Sequence, residues 1–216
     1  GVQTCALPIW GGKNLELFHY HHWTNLVEET EKFYTEQGFE VAGRFAKVKE
    51  GIKTYHPPLS WDDFREENPR FRIIEVRKGK INVTFGEGKK PMFDHIGFLV
   101  TKEEHDEICS RASKLGWHVD KGARRTFIGT PIRLRIELQQ RDDAVGEGRD
   151  CITSMFISVK DLNDVKDFST LLGEQDAELQ FIKANELALK EVFMKGQKNS
   201  IVTDPNGVKI HFKEMS

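Results

Sequence analysis

Apolar and polar positions repeat one plan three times along the chain. The stretches LELFHYHHWTNLVEETEKFYTEQGFEV (15–41), FDHIGFLVTKEEHDEICSRASKLGWHV (93–119) and ITSMFISVKDLNDVKDFSTLLGEQDAEL (152–179) each open on an alternating run. Each then places apolar residues at helical spacing, meets a glycine and resumes alternation. Alternation is the mark of a half-buried strand and a three-to-four-residue recurrence that of an amphipathic helix, so each stretch predicts strand, helix, strand. In the first, Asn25-x-x-Glu28 predicts the helix start, Leu26, Thr30, Phe33 and Gln37 set the buried stripe, and Gly38 ends it. In the second the same parts are Thr101-x-x-Glu104, then Ile108, Ala112 and Leu115, and Gly116; in the third they are Val165, Phe168 and Leu172, and Gly173.

Further alternating runs follow each start: FRIIEVR and KINVTFG, then RTFIG and IRLRIEL, then ALKEVFM, NSIVT and VKIHF. Each unit therefore predicts one helix and three or four strands. The expected fold is α+β, built of tandem βαβββ modules at 15–91, 92–145 and 150–216, the first two paired into a cupped mixed sheet with the helices outside. Residues 1–14 are set aside as disordered or artefactual, because GVQTCALPI reads as the translation of an adapter stretch rather than as protein.

Composition narrows the partners. The 216 residues carry 32 basic and 34 acidic side chains, interspersed, for a formal net charge of -2, which excludes the basic footprint of a nucleic-acid or anionic-membrane binder. No apolar run approaches the ~20 residues of a membrane helix and no signal-peptide pattern opens the chain, so a cytoplasmic protein acting on a small molecule is expected. Cys5, Cys109 and Cys151 form an odd set without CxxC spacing, which predicts neither a disulfide framework nor a thiolate metal site, and Cys109 reads as core packing.

The candidate chemistry lies in three residues. His19 on the first opening strand is followed fourteen residues later by Phe33-Tyr34, His95 stands on the second opening strand in DHIGFLV, and Glu137 lies on a closing strand in RIELQ. With the turn Asp204-Pro205-Asn206-Gly207 before VKIHF, these residues make the chain resemble the vicinal oxygen chelate superfamily of glyoxalases, bleomycin-resistance proteins and dioxygenases, over nearly all of its length after residue 14. The resemblance implies that His19, His95 and Glu137 hold one divalent metal ion. Two neutral imidazoles and a carboxylate on rigid strands suit Fe, Mn, Zn, Ni or Co and leave positions open for a substrate with two adjacent oxygens. The matching place on the first unit's closing strand is most nearly Thr84, so one complete site is expected, not two.

Around the triad, His21 shares a strand face with His19 and reads as a partner behind the ligands, a general base or a pocket wall, whereas His22 faces the other way and packs. Glu75 in FRIIEVR is the candidate proton-transfer base, against the plainer reading of a solvated strand glutamate. Arg125, beside Arg124, is a candidate clamp for a carboxylate or phosphonate, against surface salt bridging. The stretch 51–70 carries Tyr55, His56, Trp61 and Phe64 and reads as a lid, with Tyr55 and Trp61 as substrate contacts, or as a short helix from Trp61 to Glu67 capped by Ser60 on the sheet edge. The third unit, with Ser154 or Met155 and His211 in the ligand places, reads as structural. An odd number of modules predicts a homodimer through it.

Three functions follow. The first is a glyoxalase-like or dioxygenase-like metalloenzyme. The second is a metal-free protein that sequesters a drug or metabolite, which predicts an aromatic groove without converging His and Glu. The third is a degenerate scaffold, which predicts His19 and His95 pointing into the helix-facing core.

Overall fold

The computed structural model describes residues 15–173 and 177–215; the expectations for residues 1–14, Cys5 among them, lie outside the described residues. The first unit runs β1 (Glu16–Thr24), α1 (Val27–Glu36), β2 (Glu40–Val48), β3 (Gly51–Thr54), a 3-10 turn (Trp61–Phe64), β4 (Phe71–Lys78) and β5 (Ile81–Glu87). The second runs β6 (Met92–Leu99), α2 (Lys102–Lys114), β7 (His118–Lys121), β8 (Thr126–Gly129) and β9 (Arg135–Gln139). These strands form one sheet in the order β3-β2-β4-β5-β1-β6-β9-β8-β7. The order reads outward from the central β1/β6 pair in the same way on both sides. β1 and β6 are antiparallel to each other, and each lies parallel to the closing strand of its own unit.

The two helices cover one face of this sheet. Tyr20, Ile74, Val76, Val83 and Phe85 are buried in the first unit, and Ile96, Ile108, Ala112, Ile136 and Leu138 in the second. α2 begins as its sequence predicts: the Thr101 hydroxyl accepts from the Glu104 N–H and the Glu104 carboxylate accepts from the Thr101 N–H. α1 does not begin at Asn25. Its N-cap is Leu26 without a side-chain bond, and the Thr24 hydroxyl accepts from the Leu26 N–H. Of the stripe read from Leu26, Thr30, Phe33 and Gln37, Thr30 is buried and Phe33 packs partly buried on the core, and the rest of the buried face is Glu31 and Tyr34. Gly38 and Gly116 follow their helices at φ +83° and +74°, the left-handed geometry that a β-carbon disfavours.

The stretch 51–70 pairs β3 with β2 and seats the 3-10 turn against α1. Arg44 on β2 holds it there. Its guanidinium donates to both carboxylate oxygens of Glu31 at 2.6 Å and to the carbonyls of Tyr55 and Leu59, and the Trp61 indole donates to Glu31 at 3.0 Å. The short helix on the sheet edge is therefore present, in 3-10 form, with Ser60 and Asp63 bonded across its start.

The third unit departs from a single βαβββ module. It runs β10 (Cys151–Val159), α3 (Phe168–Leu172), β11 (Glu178–Lys183), β12 (Ala188–Gly196), β13 (Ser200–Thr203) and β14 (Lys209–Glu214), in the sheet order β11-β10-β12-β14-β13. β10 pairs with β12 as β1 pairs with β6, residue for residue, with irregularities at the same two steps: Ile152/Ser154 matches Leu17/His19, and Phe156/Ile157 matches His21/His22. β11 and β14 lie parallel to β10 and β12 as β5 and β9 do to β1 and β6. The unit is thus a trimmed copy of the whole paired arrangement, which removes the unpaired module on which the expectation of a dimer stood. It docks on the first two units through Tyr34 to Asp204 at 3.1 Å, Arg111 to the Leu171 carbonyl at 2.7 Å and Lys198 to Gln37 at 2.7 Å.

Cys109 is a buried free thiol, in line with core packing. Cys151 is disulfide-bonded, against the expectation of no disulfide, and its pairing lies outside the described residues. Among the described residues no helix is long and apolar enough to cross a membrane.

Candidate metal centre

Alternation along β1 sends Tyr20 to the helix side, where its hydroxyl meets that of Tyr34 on α1 at 2.8 Å, and so sends His19 and His21 to the open, concave face. β6 and β9 bring His95 and Glu137 to the same face. His19 Nε2 and His95 Nε2 lie 3.1 Å apart, His95 Nε2 is 3.4 Å from Glu137 Oε2, and one donor atom from each residue falls within 4.8 Å of the others. All three residues are buried. Two donors each ~2.1 Å from a shared ion and roughly at right angles would stand about 3 Å apart, so the spacing fits a single divalent ion.

The hydrogen bonds behind the ligands fix which ring nitrogens are available. His19 Nδ1 donates to the carbonyl and the side-chain oxygen of Asn82 at 3.0 and 3.1 Å, and the Asn82 amide nitrogen is in turn spent on Glu75 and the Ala144 carbonyl. His95 Nδ1 donates to Asp94 at 2.6 Å. Both Nδ1 atoms carry the proton, so both Nε2 lone pairs point at one another across 3.1 Å beside a carboxylate. Lone pairs held so close repel unless something positive lies between them, which is the chemistry of a cation site.

Asp94 reaches His95 because of a β-bulge. In the β1/β6 ladder His21 pairs with His95 and His22 with Phe93, leaving Asp94 as the extra residue, and it turns to the face of its neighbour instead of the opposite one. There it also pairs with Arg135 and accepts from the Trp23 indole at 3.3 Å. Burial would raise the Asp94 pKa, but the bonds from His95 and Arg135 outweigh it and hold the carboxyl well below its usual range. Burial likewise opposes ionisation of Glu137, yet His95 and His19, once protonated in acid, together with Arg125 bring its pKa down to about 2. For His19, burial dominates and lowers the pKa to about 4, so the ring is a neutral donor at neutral pH.

The structure brings His21 to the triad as well. Its ring stacks on His95 with centroids 4.9 Å apart, Nδ1 shares a hydrogen bond with Thr84 at 2.6 Å, and Nε2 is buried without a protein partner. Burial, then the charges of His95 and His19, hold its pKa well below the ordinary value. Thr84 pairs with His21 across β1/β5 as Glu137 pairs with Gly97 across β9/β6, so Thr84 occupies the fourth, non-carboxylate position of the cup. Arg125 donates to Glu137 at 3.2 Å. His22 packs on Phe93 on the other face, and burial lowers its pKa to about 4.

Three sequence candidates lie elsewhere. Glu75 is engaged by Arg77 and Asn82 and reaches His19 only through Asn82. Tyr55 is buried against Phe64 and Phe71, with its hydroxyl on Glu67, and Trp61 lines a cleft with Asn25, Glu28 and Arg65 at the start of α1. Neither is brought to the triad. The Arg44–Glu31 pair, invisible in the sequence, draws the stretch 51–70 to the helix side. The sequence reading also missed Asp94, Asn82 and Arg135.

In the trimmed C-terminal copy the register places Ser154, Glu191 and His211 where His19, His95 and Glu137 stand. Phe193 takes the place of Gly97 and stacks on His211 at 4.1 Å, and His211 is bonded to Glu191 at 2.6 Å. The equivalent cup is filled by a ring. Of the expected Ser154 or Met155 the register selects Ser154, with His211 in the closing place; Glu191 was not foreseen, because the unit was taken for one module.

No protein-family model matches the sequence, and no curated protein matches it. Solved structures do. A Mn(II)-bound glyoxalase from Novosphingobium aromaticivorans is 11% identical with a TM-score of 0.64, over 94% of this chain and 82% of that one. Homoprotocatechuate 2,3-dioxygenase from Brevibacterium fuscum, as an E323L mutant, is 11% identical with a TM-score of 0.62, over 95% and 73%. BphC, a halotolerant catechol dioxygenase, is 12% identical with a TM-score of 0.60, over 94% and 88%. The chain has the vicinal oxygen chelate fold that these proteins share.

Proposed function

We propose that this protein is a metal-dependent enzyme of the vicinal oxygen chelate type. It holds one divalent ion, of Fe, Mn, Zn, Ni or Co, through His19, His95 and Glu137, and acts on a small molecule with adjacent oxygens by glyoxalase-like or dioxygenase-like chemistry. The observation that carries this reading is the convergence of two Nε2 lone pairs and a carboxylate on one point, with both Nδ1 protons already committed to Asn82 and Asp94. A bound ion at such a triad polarises a chelated oxygen or lowers the pKa of a bound water. The chain's own residues do the rest. Asn82 and Asp94 orient the two rings, and Glu75, tied to Asn82, is a positioning residue rather than a base. His21 presents a buried nitrogen with no protein partner to the same cup, where it can hold or pass a proton of the substrate.

A degenerate scaffold would bury His19 and His95 on the helix side, and they lie on the other. A metal-free binding protein has no need of the converging His and Glu, so the metal content decides between the two. Elemental analysis of protein purified without chelators tests the proposal, with a His95→Ala and Glu137→Ala double variant alongside. Near-stoichiometric transition metal in the wild type, lost in the variant, is expected. A wild type that is metal-free and resists reconstitution with all five ions would overturn the enzyme and leave the binding protein.

A further inference from the structure

Two arginines border the cup. Phe127 pairs with Glu137 across β8/β9, which puts Phe127 and Arg125, two residues before it, on the concave face, and Arg135 shares that face with Glu137 on β9. The guanidinium carbons of Arg125 and Arg135 lie 5.3 and 4.4 Å from the centroid of the Phe127 ring, which stands edge-on to His95. Both side chains are partly open, 39% and 42% exposed, whereas that of Glu137 is 3% exposed. The carboxylate sits on the floor and the guanidinium forks reach the mouth.

The formal charges can be counted. Glu137 is matched by Arg125, Asp94 by Arg135 and Glu75 by Arg77. A divalent ion on the triad therefore adds two positive charges beyond these three matched pairs, in surroundings where an unanswered charge is costly. Adjacent oxygens chelating the ion supply one negative charge when a hydroxyl ionises. A second must come from elsewhere on the ligand. Arg125 has five N–H donors and spends one on Glu137. Its planar fork suits a carboxylate, and its Nη1 lies 3.2 Å from Glu137 Oε2, so a small molecule that reached an ion on the triad would also reach the fork.

We propose, resting on the metal-site reading above, that the substrate is an acid: a small molecule that chelates the ion through adjacent oxygens and carries a separate carboxylate clamped by Arg125 at the mouth of the cup. Neutral compounds with the same chelating oxygens bind more weakly.

The test compares catechol with 3,4-dihydroxybenzoate by calorimetric titration of the full chain after metal loading, in wild type, Arg125→Gln and Arg125→Lys, with metal content read on the same samples. The acid is expected to bind at least tenfold more tightly than catechol to the wild type. Arg125→Gln loses that preference when the two affinities are compared on the same sample at its measured metal content, and Arg125→Lys recovers part of it. A metal-loaded wild type that binds the two equally, or binds neither, overturns the acid clamp and leaves the metal site standing. A protein that takes up no metal yet prefers the acid through Arg125 overturns the metal site and leaves the clamp; loss of both uptake and preference overturns both.

Discussion

A Cβ placed on Gly97 would lie 3.0 Å from the Cβ of His19 and 3.1 Å from its ring and from Phe18. The backbone there is not in the left-handed region, so space alone demands glycine. Gly97→Ala is expected to fold, at a cost of about 1–3 kcal/mol of overpacking, and to displace His19 enough to weaken metal binding by at least tenfold. A chelator-competition titration beside a thermal melt separates the two effects, and unchanged metal affinity would show that His19 is not held against β6. The trimmed copy carries Phe193 at this position and its cup is filled. At this scale the triad was legible, because His19 and His95 recur at the same place in two repeats and Glu137 closes the second. Asp94 was not, because alternation assigns it to the face opposite His95 and only the bulge reverses that. Asn82 was equally hidden, since nothing in KINVTFG marks which strand it will lie beside.

Among the elements, β2 and α1 are locked by one buried ion pair, Arg44–Glu31, with side chains 5% and 6% exposed. Removing one partner strands the other, along with the carbonyls of Tyr55 and Leu59. Arg44→Met is therefore expected to lower stability by about 3–5 kcal/mol, and a Glu31→Met/Arg44→Met double variant to regain much of it. Denaturant unfolding reads both, and a single variant no less stable than the double would mean the pair does not hold the 51–70 stretch. This pair is also why the aromatics of that stretch were misplaced. Tyr55 and Trp61 among turn residues look like a lid until a buried arginine 11 positions before Tyr55 is seen to donate to the Tyr55 carbonyl, while its partner Glu31 accepts from the Trp61 indole. The helix stops were legible from Gly38 and Gly116. The start of α1 was not, because Thr24 bonds the first turn where Asn25 was expected to.

For the whole molecule, three buried neutral histidines set the response to acid. His19 and His22 have pKa values of about 4 against an ordinary 6.5, and His21 lies well below 6.5, burial being the first cause in each. Between pH 6.5 and 4 the unfolded chain binds protons that the folded chain refuses. Their contribution is therefore whole above pH 6.5 and shrinks as pH falls toward 4, by roughly 3 kcal/mol for a shift of this size. Glu137, lowered to about 2 from 4.5, adds stability that is lost only below 4.5. Melts of metal-stripped protein should drop steeply between pH 6.5 and 4, and a flat profile there would contradict neutral burial of these rings. The paired-module plan of the first two units was legible at this scale from alternation and spacing. The third unit was read as one module because β12 begins a second half that has no helix to announce it. The mirrored order of the large sheet also bears on how the protein comes into being. The first two residues of the triad stand 76 positions apart and Glu137 follows later still, so a chain synthesised as far as β5 owns one of them and as far as β6 only two. The set closes when β9 docks, so under the proposed function capture of an ion is a late event in the life of each molecule. An ion retained after purification then certifies that both halves were made and have met.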